Sequence, residues 1–361
     1  MKKHWRDIFV KPNDQREFTH SGMARKGGKN SNIFFICGVA AVLLMLFTFD
    51  ADWNRVKEVL SAAGIWFPVI VLLWGFIYLV NACSFGLIIN DGTGRRVPFG
   101  KVFQLTVSGY ALNYVTPLGL MGGEPYRILE LKGYVGGKKA SSDVILYSMM
   151  HICSHFCFWL SAIVLYVVLH FCVSSQYVLN GWMCGMLGVM TVAFIAVLWF
   201  FSLGYRYGFV VKVFGLLSKI PVVKKWAANY LDKHRLDLED VDSQIAFLHT
   251  QRRTPFWWSL FLEYAARVIS CLEYWLLIGM LVPGFTFWDS ILVMAFSSLF
   301  SNLIFFSPMQ MGGFEGGMAL AAGGVQVPSA YGLYTALVAR LRQIVWTVIG
   351  IIIMKTGRKH D

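Results

Sequence analysis

Eight charged side chains stand where charge is expensive: Glu124, Arg127, Glu263, Arg267, Glu273, Glu315, Arg340 and Arg342 lie within or beside long apolar runs. A charge at the centre of a membrane helix costs about 2.5 to 3.5 kcal/mol even on a lenient insertion scale, so such residues bind, pair or carry protons. Arginine suits a phosphate in a dry site, because its fork of donors grips two oxygens and its charge persists there. Arg127 and Arg340 are therefore the first substrate-binding candidates, followed by Arg267. Glu124, Glu315 and Glu263 are the carboxylates beside them, either at the substrate or as structural partners. Glu263 and Arg267 are four apart, a spacing that lets them pair along one helix face.

Two of these acids close a repeated phrase. The stretch from Pro117 to Glu124, with Gly122 and Gly123, returns as Pro308 to Glu315, with Gly312 and Gly313. Asn113 precedes the first copy and Asn302 the second. Pro and paired Gly break a helix, and a broken helix frees backbone groups that must face protein or a wet cavity rather than lipid. Matching breaks in two halves of a chain point to a transporter-like site. Helix ends exposed there would add N–H groups of partial positive charge.

The elements that position these residues are membrane helices. Hydrophobic residues make up 57% of the 361-residue chain and charged residues 14%, and the apolar runs repeatedly reach the roughly 20 residues needed to cross about 30 Å of hydrocarbon. The expected fold is all-α and polytopic, with about six full spans: Ile33 to Phe49, Trp66 to Ile89, Val144 to His170, Trp182 to Leu203, Phe256 to Met280 and Tyr334 to Met354. Phe99 to Thr116 and Phe287 to Phe306 run into the Pro/Gly phrases. If both crossed, the basic segments after Arg127 and around Lys212 to Arg253 would fall outside, against the positive-inside tendency. Each is therefore expected to dip in and return as a re-entrant hairpin, which makes the two halves an inverted repeat.

The expected organisation is a basic cytoplasmic segment at 1–31 and a first membrane repeat at 32–174, with its re-entrant motif near 113–127. A second repeat comprises 181–203 and 256–356, with its motif near 302–317. The connection at 204–255 mixes lysines with apolar residues and is expected to lie as cytoplasmic interfacial helices against anionic headgroups. Both termini are expected in the cytoplasm.

Other chemistries find little support in the residues. The net charge of +12 is distributed over short inter-span segments rather than gathered into one aromatic-studded patch, so a nucleic-acid partner is not expected. The seven cysteines include no CxxC pair. His151 and His155 share one helix face and Cys153 and Cys157 another, so the four cannot close on one ion, and no metal or other cofactor is expected. Packing or a polar bundle interior is the better account of them. The segment from Asp91 to Arg96 has the opening of a CDP-alcohol phosphotransferase signature without its further aspartates, and reads as a Gly-rich turn. Walker A, GxSxG and HExxH sequences are absent, so the chain is more readily a carrier than an enzyme.

With these motifs in place, the chain resembles the lysylphosphatidylglycerol synthase transmembrane region, the flippase-like domain family that includes the membrane half of the multiple peptide resistance factor. Pro117, Gly119, Gly123, Arg127 and Lys132 match its first signature. Ser307, Pro308, Gly312, Gly313, Glu315, Gly324 and Arg340 match its second, and the likeness runs from about residue 33 to 356. The span after the first motif reads Tyr147-Ser148-Met149-Met150-His151, where the family often has a Glu-Arg pair. No soluble aminoacyltransferase domain follows, so synthesis of a lysyl lipid is not expected. The resemblance implies movement of a lipid headgroup between leaflets.

The resulting expectation is a bacterial inner-membrane translocator of a phospholipid or related amphiphilic phosphate, with the headgroup between the two hairpins. Its partners would be that lipid and anionic headgroups at the cytoplasmic face, with homo-oligomer formation left open. A membrane-embedded transferase acting on a lipid or polyprenyl phosphate is the alternative. A proton-coupled solute transporter using Glu263, Glu273 and Glu315 is the second.

Overall fold

The structure, a computed structural model, describes residues 60–90, 96–115, 122–173, 179–207, 253–303 and 312–356, with isolated positions elsewhere. The first apolar span, the 1–31 segment, Pro117, Pro308 and most of 204–252 lie outside the described residues.

The described long elements are all helices, in the order α1 (Trp66–Ile89), α2 (Phe99–Val115), α3 (Gly123–Val135), α4 (Gly137–Val173), α5 (Gly181–Tyr207), α6 (Arg253–Gly279), α7 (Phe287–Leu303), α8 (Gly313–Gly324) and α9 (Ser329–Thr356). Four of them, α1, α4, α5 and α9, are long and apolar enough to cross a membrane. The protein is thus an all-helical, multi-pass membrane protein. α4 begins seven residues before the expected Val144, since the polar turn from Gly137 to Asp143 extends a helix that hydropathy alone cuts short. α6 has 27 residues but carries Glu263, Arg267 and Glu273, all buried.

Apolar residues face both ways, as they must when the solvent is lipid. On α5, Trp182, Met186, Val189, Val192, Ile195 and Trp199 are exposed, the spacing of one helical face. α6 turns Trp257, Trp258, Phe261 and Trp275 outward and buries Ser259, Glu263, Ala266, Arg267 and Ser270. The polar face of α6 is thereby hidden, which is the reverse of a soluble amphipathic helix.

The arrangement brings the central helices together. α1 packs on α6, α2 on α9, and α4 on both α6 and α7. Two pairs of short helices that follow each other in the chain fold together, α2 with α3 and α7 with α8. Glycines set the closest approaches. A Cβ on Gly123 would collide with the backbone of Gly109, so α2 and α3 touch main chain to main chain, as small residues permit in membranes. Gly332 of α9 lies equally tight on Met318 and Ala322 of α8, and Gly350 of α9 on Val107 and Ala111 of α2.

Candidate functional site

The first motif is tied by Asn113. Its amide donates to Glu124 Oε1 at 3.0 Å, and its Oδ1 accepts the Gly123 N–H at 2.7 Å, which satisfies one of the free donors at the start of α3. Arg127 lies one turn further on and is 2% exposed. Its guanidinium reaches Glu124 at 3.3 Å and the carbonyls of Leu105 and Thr106 at 3.3 and 3.4 Å. The rings of Phe85, Tyr110 and Tyr147 surround it, the nearest 5.1 Å away, so the cation is held by ring faces as well as oxygens.

The second motif is tied by Glu315. Gly312 adopts a positive φ of 76°, a conformation suited to glycine, and its N–H donates to Glu315 Oε2 at 2.9 Å. The same carboxylate takes Arg340 of α9 in a two-pronged pair at 2.7 and 3.2 Å. Arg340 then reaches across to the Tyr114 hydroxyl on α2 at 2.9 Å. Both motif arginines are consequently engaged by protein.

A cavity of about 490 Å³ lies between these two constructions. Seven helices line it: α1, α2, α4, α6, α7, α8 and α9. Asn113 and Asn302, the residues preceding the two Pro/Gly phrases, both belong to the lining, as do Glu263, Arg267 and Arg342. The two motif arginines and their acids stand behind the wall, where Tyr110 and Tyr114 face the cavity and touch Arg127 and Arg340.

Glu263 and Arg267 do not pair with each other. The His151 side chain binds Glu263 Oε2 at 2.8 Å through Nδ1, while Arg267 donates to Ser154 Oγ at 2.7 Å and to the His151 carbonyl at 2.9 Å. The expected pairing along the helix is therefore replaced by contacts to α4, because α4 packs against the charged face of α6 and supplies nearer partners. Tyr110 continues the chain, 3.0 Å from His151 Nδ1 and 3.0 Å from the Tyr147 hydroxyl. His151 and His155 thus belong to the polar bundle interior.

Arg342 and Glu273 form a further pair that the sequence flagged only as charges. Their atoms meet at 3.0 and 3.2 Å, the Trp74 indole N–H donates to the same carboxylate at 2.8 Å, and the Trp74 ring covers Arg342 at 3.7 Å. Asn81, Gln343, Trp74, Tyr78 and Trp346 also line the cavity and escaped the sequence reading. Their helical spacing marks them as inward-facing, but nothing in it separates a cavity wall from ordinary packing.

A family model for the lysylphosphatidylglycerol synthase TM region matches residues 34–350. The chain belongs to this family. The family resemblance read from the sequence is thereby borne out over most of the chain. No curated protein and no solved structure matches it. In this member of the lysylphosphatidylglycerol synthase TM region family, the 147–151 stretch of α4 carries no acid. The carboxylate and guanidinium facing His151 come from α6 instead.

Proposed function

We propose that the protein moves a phospholipid or related amphiphilic phosphate headgroup between leaflets through the central cavity, while the acyl chains stay in lipid. The observation that carries this is the cavity itself: both halves build it, both motif asparagines line it, and it holds charged side chains at the heart of an apolar bundle. Charged side chains gathered around such a space have no packing rationale in a membrane, since buried ionisable groups are costly there.

The inverted-repeat, re-entrant plan accounts for how such a cavity forms. α1 to α4 have 24, 17, 13 and 37 residues, and α6 to α9 have 27, 17, 12 and 28. At 1.5 Å per residue, α3 and α8 reach only about 20 Å, short of the roughly 30 Å of a hydrocarbon core. The contacts cross over in the same sense: α2 packs on the last helix of the second half, and α7 on the last helix of the first. Two opposed hairpins would then meet at the cavity, with the basic segments after Arg127 and between α5 and α6 on the cytoplasmic face. Arg127 and Arg340, with Glu124 and Glu315, serve as its frame, and Arg267 and Glu263 as its contact surface.

The test is leaflet exchange. The purified protein, reconstituted into vesicles with acyl-labelled phospholipids of several headgroups, is expected to speed exchange over empty vesicles. Rates equal to empty vesicles for every headgroup would end this reading. Lipid mass spectrometry on the same vesicles separates it from a transferase, since a translocator leaves every lipid species unchanged.

A further inference from the structure

Glu263 and Arg267 present an unusual pairing of needs. Glu263 is 1% exposed and its Oε1 has no partner, although its Oε2 is bound by His151. Arg267 is likewise buried, and its nitrogens are met by a hydroxyl and a carbonyl, both uncharged. Among the described residues no carboxylate lies in ion-pair range of it. One helical turn of α6 thus offers a cation and an anion to the same cavity, with no direct bond between them.

The remaining charges around the cavity are already satisfied. Arg342 is matched by Glu273 through two bonds. Four buried atoms without a hydrogen-bond partner belong to residues of the cavity wall: Asn81 Oδ1, Gln343 Oε1, His155 Nδ1 and Glu263 Oε1. Asn81 is 6% exposed. A buried polar atom left unmet costs about 1 to 3 kcal/mol, so these atoms mark where a polar guest belongs. Much of the rest of the wall is aromatic, with Trp74, Tyr78, Tyr110, Trp159 and Trp346, and ring faces attract an ammonium.

A purely anionic headgroup would suit Arg267 but bring like charge to the free oxygen of Glu263. A purely cationic one would suit Glu263 and repel Arg267. We infer that the cavity takes a zwitterionic headgroup with one phosphate and one ammonium: the phosphate on Arg267, the ammonium on Glu263 among the aromatic rings. This rests on the translocator reading and names its substrate class, of the phosphoethanolamine kind.

Calorimetric titration of the full chain in detergent with dihexanoyl lipids tests the binding directly. The phosphoethanolamine lipid is expected to bind about tenfold more tightly than the phosphoglycerol lipid or phosphatidic acid, the worth of one charge-assisted hydrogen bond. Glu263→Gln should abolish that preference and leave phosphate binding, whereas Arg267→Gln should weaken all three lipids. Asn81→Leu gives the same readout, a reduced preference, should Glu263→Gln fail to yield a monodisperse protein. Equal or tighter binding of the anionic lipids, a preference that survives Glu263→Gln, or no binding of any lipid would overturn the inference. The vesicle assay separates the two claims. Exchange of anionic lipids alone overturns the zwitterion and keeps translocation, while headgroup preference in binding with no exchange of any lipid overturns translocation and keeps the site.

Discussion

The two Pro/Gly motifs carry the same letters and hold their arginines differently. In the first, acid and arginine share α3 at a three-residue spacing, meet through one bond at 3.3 Å, and leave the guanidinium to two α2 carbonyls and three rings. In the second, acid and arginine come from different helices and meet through two bonds, with Arg340 extended to Tyr114 on α2. The first motif ties α3 back onto α2. The second fastens α8 to α9 and, through Arg340, to α2. Similar sequence therefore supplies similar charges without fixing which element each charge serves.

The sharpest way to break this comparison is to remove the acids. Glu315→Ala strands a buried arginine that had two bonds to it, and is expected to cost about 3 kcal/mol or more. Glu124→Ala should cost about 1 kcal/mol, because the carbonyls and rings still hold Arg127. Thermal unfolding in detergent checks the order, and equal losses would erase the distinction between the motifs.

The glycines are expected to fall below Glu315→Ala. Gly123→Ala forces a methyl into the backbone of Gly109, which cannot yield as a side chain can, and should destabilise by about 2 to 3 kcal/mol. Gly317→Ala in α8 meets the Phe300 side chain at 3.1 Å and the Ser297 carbonyl at 3.2 Å and should cost about 1 kcal/mol, since these contacts are tight rather than overlapping. The same melting experiment ranks them.

The asparagines differ in what they hold and share an effect on function. Asn113→Ala removes two bonds and should cost about 1 to 2 kcal/mol. Asn302→Ala removes a bond to Ser298 on its own helix and should cost under about 0.5 kcal/mol. Both line the cavity, so both variants are expected to slow leaflet exchange. A normal rate in Asn302→Ala would detach the second motif from the pathway.

Much of the helical layout was legible because hydropathy is a local property. α1 and the starts of α2 and α7 coincide with the expected boundaries, and α6 was recognisable despite three charges. Pairing was not legible, because it depends on what packs across. Glu263 and Arg267 had the spacing of a helix pair, yet α4 inserted His151 and Ser154 as better partners. Arg342 found Glu273 from 69 residues away, a separation that no local pattern encodes. The cavity escaped for the same reason: its wall takes a few residues from each of seven helices. Asn113 and Asn302 did leave a trace, through their place before the repeated phrase, as did the charges Glu263, Arg267 and Arg342, through their setting in apolar runs.

The tight seam at Gly350 has a mechanical consequence. There α9 and α2 interlock backbone against backbone, and the Ser108 hydroxyl and Gln104 amide add bonds to the carbonyls of Gly350 and Ile353. The corresponding seam between α4 and α7 rests on side-chain packing and the bond from the Trp159 indole to Ser298. A chamber with one stiff wall and one compliant wall yields on the compliant side, much as a clasp opens at its latch rather than its rivet. Widening of the cavity toward lipid is thus easier between α4 and α7, with α2 and α9 staying together as the fixed jaw.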